Sequence, residues 1–498
     1  MVASASSQGT RLRFSADPFA LGVASGDPVS DGFVIWTRLA PAQFDGSVLD
    51  DDAIDVMWEV ASDDQMRNVI QSGTFQALKS LAHAVHVEVR GLPPGRPWWY
   101  RFRLKNGDAS RTGAAWSATT MGTALKEMRV AFASCQHFEQ GYFTAYDLMA
   151  QDRPDLVLHL GDYIYESSWG DPVRRHEGPE PLSLGDYRSR HALYKTDRSL
   201  QAAHARTPWL LTWDDHEVDN DYQGLESEDW QDHDAFVKRR AAAFQAYYEH
   251  MPLRRIAVPQ AAQMKLYQRS IFGNLLQVAM IDNRQYRSPA ACRTKEHGGG
   301  QVVDASCKEL FEDGRSMLGD EQERWLSSAL NRSQAKWNMV GNGEMFSRLR
   351  QKAKSGQEGF WTDDWNGFPT ARQRLISNLA KGTISNPVIV TGDIHAFWVN
   401  DVKEDFSRDD SRTVATELVG TSITSAGSSF DMFNSLLPQN PHVKFFESRK
   451  RGYVACRITP ETLVADLRVV DDVRQVSSPG STLASFVIES GKPGSVRA

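Results

Sequence analysis

The sequence predicts an α/β layered domain preceded by a smaller all-β domain, on two changes of pattern along the chain. From Phe33 to about Thr120, short β-branched and aromatic runs are separated by turn signals; beyond Thr120, compact apolar runs alternate with polar stretches of helical composition. At 498 residues, 41% hydrophobic and 24% charged, the chain has the make-up of an ordinary globular protein and is long enough for about two to three domains.

The elements follow in order. Residues 1–16 read as an N-terminal tail without the apolar core and small-residue cleavage site of a signal peptide. Residues 17–125 read as a β-sandwich. Its strands are Phe33–Arg38, Ile54–Val60 and His83–Val89, and the turn Gly91-Leu92-Pro93-Pro94-Gly95 leads into the aromatic strand Trp98–Phe102. Residues 126–476 read as the α/β domain, with buried runs at Arg129–Ser134, Leu156–Leu160, Trp209–Thr212, Leu275–Ile281, Trp337–Val340 and Val388–Thr391. Ala235–Tyr248 and Gln322–Leu330 have helical spacing. The last segment, 477–498, is Ser- and Gly-rich at both ends and is expected to be partly loose.

A formal net charge of -7 provides no basic track for nucleic acid. The strongest apolar runs, such as Leu275–Ile281, fall short of the roughly 18 residues a membrane helix needs. Cys292 and Cys307 flank a polar, Gly-rich stretch, a spacing that suits a disulfide closing a surface loop; two unlinked thiols are the alternative. Pairing would favour an oxidising compartment.

Chemistry-bearing residues recur immediately after the apolar runs: Cys135, then Asp162, then Asp214-Asp215-His216-Glu217, then Asp393 and His395. Ligands of open α/β sheets sit outside the carboxyl ends of the strands, so groups far apart in sequence would converge there. A single Asp after a strand reads as a turn or helix-cap residue; four such places make that reading weak for the set. A carboxylate-rich cluster with few soft donors suits hard cations or ferric iron, and two cations sharing a carboxylate are suited to phosphate displacement.

The strings Ser134-Cys135-Gln136, Gly161-Asp162-Tyr163-Ile164-Tyr165-Glu166, Trp213-Asp214-Asp215-His216-Glu217 and Thr391-Gly392-Asp393-Ile394-His395 resemble the PhoD-like alkaline phosphatase and phospholipase D family. Asp282–Arg287, Leu318–Gln322, Trp365–Pro369 and Gly26-Asp27-Pro28 extend the resemblance over nearly the whole chain. It implies a calcineurin-like metallophosphoesterase core, a layered β-sandwich flanked by helices, behind a fibronectin type III-like domain. It implies Fe3+ held by Cys135, Asp162, Tyr165 and His395, with Asp162 bridging to Ca2+ held by Asp393, Asn220 and Asp215. His216 would lie beside the phosphate, stabilising its charge or protonating the leaving group. The resemblance also implies a periplasmic or secreted enzyme, exported by the twin-arginine route.

Taken one at a time, several of these residues have plainer readings. Cys135 and Tyr165 would be core residues, His216 would pair with Asp214 or Glu217, and Arg284 would be an ion-pair partner. His159, inside an apolar run, reads as a hydrogen-bonded core histidine. Trp361, Trp365 and Phe368 read either as a substrate entrance or as packing. The leading function is hydrolysis of small phosphate mono- and diesters. The alternatives are a phospholipase D-type hydrolase of phospholipid head groups, and a surface-binding protein with structural metals.

Overall fold

The apolar runs at Leu156–Leu160, Pro208–Thr212, Leu276–Met280, Trp337–Asn342 and Pro387–Thr391 are buried along their whole length in the computed structural model, which describes residues 14, 16–40 and 47–498. Burial on both faces is what a parallel strand inside a layered protein requires. Met128–Ala133, Leu156–Leu160 and Pro208–Thr212 pair in parallel within a ten-stranded sheet. Leu276–Met280, Trp337–Asn342, Pro387–Thr391 and Thr413–Val419 pair in parallel within a seven-stranded one.

Phe132, Leu158 and Leu210 of the larger sheet meet Val278, Met339, Val390 and Leu418 of the smaller in one core. Helices cover the outer faces. Leu184–Lys195, Arg198–Arg206 and His233–His250 pack on the larger sheet, and Gly319–Asn331 and Pro369–Leu379 on the smaller. The result is a layered β-sandwich flanked by helices, with the all-β part at its N-terminal end. Among the described residues no helix is long and apolar enough to cross a membrane.

The N-terminal sandwich has its own core, in which Phe33, Ile35 and Val85 face Val56, Trp98 and Phe102. One of its sheets, however, is continuous with the larger domain. Val23–Val29 pairs in parallel with Pro208–Thr212, Ser25 opposite Pro208 and Gly26 opposite Trp209. A Cβ on Gly26 would stand 2.5 Å from the carbonyl oxygen of Pro252, so only glycine permits this approach. Asp27 fixes the same junction, accepting from the Arg254 backbone N–H at 3.2 Å and from Gln268 Nε2 at 2.8 Å. The expected division at 125/126 therefore separates two cores but not two sheets. The expected tail, 1–16, lies outside the described residues apart from Phe14 and Ala16.

The C-terminal segment departs from its expected looseness. Gly480–Glu489 and Lys492–Arg497 are strands at the edge of the ten-stranded sheet, and the first forms a hairpin with Thr462–Val470. Ala484, Phe486 and Ile488 point inward at period two. The division at 476/477 falls inside that hairpin.

Beneath the helices lies a basic cluster without carboxylates, among the described residues, at its centre. His159 is buried with both ring nitrogens lacking a hydrogen-bond partner, which corrects the expectation of a hydrogen-bonded histidine; its ring stacks on Trp209. His191 is likewise unpartnered and stacks on His250. Lys195, 1% exposed, meets His204 Nε2 at 3.3 Å and lies over the Trp36 ring. Burial, then Lys195, pushes the His159 pKa down to about 3, and burial followed by neighbouring cations lowers those of His191, His204 and His250 well below the usual value.

Candidate metal centre

The loops that leave the parallel strands begin with backbone few side chains adopt. Cys135, Asp162, Asp393 and His395 all have positive φ, between 54° and 64°. Such left-handed conformations cost about 1–3 kcal/mol each and persist where surrounding structure holds them, often at functional sites. Glu217 supplies part of that hold, since its carboxylate accepts the backbone N–H groups of Asp162, Tyr163 and Asp214 at 3.1, 2.6 and 2.9 Å. Gly161, at φ +112°, leaves no room for a Cβ, which would meet Asp214 Cβ at 2.5 Å.

Two clusters of donor atoms result, each within 4.8 Å: Cys135, Asp162 and His395 form one, and Asp162, Asp215 and His216 the other. Asp162 belongs to both. Tyr165 joins the first cluster, its hydroxyl donating to Asp162 Oδ2 at 2.8 Å and standing 3.1 Å from His395 Nε2. Ser425 Oγ donates to the same phenol oxygen at 2.8 Å, and His395 Nδ1 faces the carbonyl of Ala426 at 2.9 Å, leaving Nε2 toward the cluster. Asp162 Oδ1 is buried with no partner. An orphaned carboxylate oxygen between two donor clusters fits a cation-binding role.

Electrostatics point the same way. Burial first, and then neighbouring acidic groups, raise Cys135, Asp162, Tyr165 and Asp393 well above their usual pKa values. A cation in their midst would reverse that penalty. A thiol, a phenol, an imidazole and a carboxylate suit iron, whereas an oxygen-rich set suits calcium.

On the oxygen-rich side, Asp215 accepts the N–H groups of His216 and Asp221 at 3.0 and 2.8 Å. Burial works against its charge, but Arg284 and His216 hold its carboxyl well below the usual range. Asn220 Nδ2 donates to Glu228 Oε1 at 2.7 Å, so its amide oxygen is the atom left to act as a ligand. Asp393 lies outside both tight clusters; its carbonyl accepts from Cys135 Sγ at 3.7 Å.

His216 pairs through Nδ1 with Glu166 Oε2 at 2.7 Å, not with Asp214 or Glu217. Burial lowers its pKa, yet Glu166, Asp215 and Asp162 together raise it well above the usual value, favouring an imidazolium. Glu166, which the sequence offers only inside a matched string, is the partner of His216 that spacing alone does not identify. Arg284 is an ion-pair residue, as its plainer reading had it. It is fully buried and reaches Asp214 at 2.6 Å, Glu344 and Asp363 at 2.9 Å, and Asp215 at 3.6 Å.

Trp365 and Phe368 are core residues rather than an entrance; the Trp365 indole N–H donates to Asn342 Oδ1, and only Trp361 of the three is partly exposed. Cys292 and Cys307 are joined in a disulfide.

Comparison with known proteins agrees with the geometry. Residues 130–467 match the family described as PhoD-like phosphatase, and residues 3–119 match PhoD-like phosphatase, N-terminal domain. The chain is 43% identical over 491 residues to alkaline phosphatase D of Bacillus subtilis (strain 168), spanning 97% of this chain and 82% of that protein. It is similar to a solved structure described as "Structure of PhoD", with a TM-score of 0.93 at 42% identity, covering 98% of this chain and 93% of the other.

Proposed function

We propose, from the premise that this chain belongs to the PhoD-like phosphatase family, that Asp162 bridges a ferric ion and a calcium ion at the mouth of its sheets. As a member of that family it is a metal-dependent phosphoric ester hydrolase. The iron ligands in this reading are Cys135, Asp162, Tyr165 and His395, and the calcium ligands are Asp162, Asp215, Asn220 and Asp393. The observation that carries it is the presence of Asp162 in both donor clusters, with one buried oxygen unpartnered.

When bound, such a pair of cations would hold the phosphoryl oxygens and activate water for in-line attack. The chain's own residues do the rest. Glu166 holds His216 in a fixed orientation, and the imidazolium, 8% exposed, can donate a proton to the departing alkoxide or stabilise the charge on the phosphoryl group. Arg284 keeps Asp214 and Asp215 in place. Water is excluded from the floor, where Cys135, Asp162 and Tyr165 are at most 2% exposed.

We read the substrates as small phosphate monoesters and diesters, with phospholipid head groups the alternative. Turnover of a nitrophenyl monoester, a bis-nitrophenyl diester and phosphatidylcholine separates these. The Cys292–Cys307 bridge supports a periplasmic or secreted location.

The test of the bridge is Asp162→Asn, assayed for both turnover and metal content. One carboxylate serving two cations predicts loss of nearly all activity and of both ions in a protein that still folds. Retained turnover at unchanged iron and calcium content would reject the assignment.

A further inference from the structure

The reading of His216 as the group beside the phosphoryl leaves one neighbour without a role. Trp169 lies on the segment between the strand Leu156–Leu160 and the helix Leu184–Lys195 and is 36% exposed. Its ring centre is 5.3 Å from that of His216, with the planes 32° apart, 5.0 Å from Tyr165 and 4.3 Å from His137. Two of those rings, His216 and Tyr165, belong to the site, and about a third of the indole stays open to solvent beside them.

This wall is fastened rather than loose. The Trp169 carbonyl accepts from Gln140 Nε2 at 3.0 Å, and Gln140 Oε1 accepts the N–H of Ala426, whose carbonyl faces His395. Further along, Arg174 donates to the Phe138 carbonyl at 2.7 Å and to Asp197 at 2.8 Å, and His176 N–H donates to Glu139 at 2.8 Å. A partly exposed indole held rigidly at the mouth of a polar, metal-binding site is costly to leave in water and well suited to stacking.

We infer that Trp169 is a specificity-determining residue whose open indole face packs against the alcohol part of the ester, favouring planar, ring-bearing leaving groups over small alkyl ones. The inference rests on the proposed placement of His216. A Trp that merely packs on its neighbours would affect all substrates alike, and that difference is measurable without the chemical step.

The experiment compares competitive inhibition by phenylphosphonate, methylphosphonate and inorganic phosphate in the metal-loaded wild type, Trp169→Ala and Trp169→Phe. Alongside it, kcat/KM is measured for phenyl phosphate and ethyl phosphate. Loss of one stacking contact should raise Ki for phenylphosphonate and KM for phenyl phosphate roughly 2- to 12-fold in Trp169→Ala. Methylphosphonate and inorganic phosphate should be unchanged, and Trp169→Phe should retain most of the preference. Equal shifts for phenyl and methyl ligands, or none for either, would overturn the role of Trp169 while leaving the phosphoesterase reading intact. A wild type that hydrolyses neither ester and binds no phosphonate would instead remove the reading of the site, and this inference with it.

Discussion

Replacing both Cys292 and Cys307 by serine opens a loop whose effect reaches the metal centre. The sequence separation of 15 residues corresponds, in the chain-entropy treatment, to about 3 kcal/mol of stabilisation. The same constraint acts on any opening that frees both ends of the loop. Inside the loop, Gly300 N–H donates to Asp221 Oδ2 at 2.5 Å, and Asp221 N–H donates in turn to Asp215 Oδ2 at 2.8 Å. Gly299 is pressed so closely against Glu228 and Asp221 that a Cβ would stand within 2.5 Å of both. A loss of about 3 kcal/mol raises the opening equilibrium of the loop roughly a hundredfold. Amide hydrogen exchange of Gly298 to Gly300 reads the opening directly, and the chelator concentration that removes half the activity reads its effect on the oxygen-rich side. Faster exchange with easier metal loss is the expected pair. Exchange at the wild-type rate would refute the entropic argument, and faster exchange with unchanged chelator sensitivity would refute the connection through Asp221.

Three further outcomes are expected. Gly161→Ala should destabilise the fold by roughly 2–4 kcal/mol and abolish turnover, because the added carbon meets Asp214 in a left-handed conformation; a wild-type melting temperature with full activity would reject this. Tyr165→Phe keeps the ring but removes the oxygen between Asp162 and His395, so iron-loaded protein should lose a phenolate-to-iron visible band that Cys135→Ala retains; an unchanged band excludes Tyr165 as a ligand. The contribution of His159, His191, His204 and His250 to stability should fall as pH drops below about 6.5, where the unfolded chain protonates them while the folded one keeps them neutral, at up to about 1.4 kcal/mol per pH unit for each. The wild-type denaturant midpoint should fall more between pH 8 and 5 than that of His191→Gln, and an identical pH dependence for the two would show that His191 takes up its proton as readily in the fold as in the unfolded chain.

The legible part of the molecule was the part governed by local pattern. Runs such as Leu156–Leu160 and Pro387–Thr391 are apolar on both faces because both faces are covered, and the donor residues stand where those runs end. What escaped depends on partners distant in sequence. Nothing near Val23–Val29 indicates that it pairs with Pro208–Thr212, and the His216–Glu166 pair spans 50 residues. The final strands were hidden by flanking Ser and Gly, although Ala484, Phe486 and Ile488 alternate as an edge strand should. Trp365 and Phe368, for which both an entrance and packing were open, are packed in the core, and the choice rested on their burial, which the sequence does not give.

The pairing of Val23–Val29 with Pro208–Thr212 also joins segments far apart in synthesis. At a synthesis rate of about 5–20 residues per second, the first of these strands is made roughly ten to forty seconds before the second exists. Until then the sandwich carries an open edge, the kind of surface that pairs with the wrong chain. Neither family segment completes its sheet without the other, and cutting the chain at their boundary would expose two complementary sticky edges instead of yielding two independent proteins. The N-terminal sandwich thus shares a sheet with the larger domain, and the strand it pairs with runs directly into the loop bearing Asp214, Asp215 and His216.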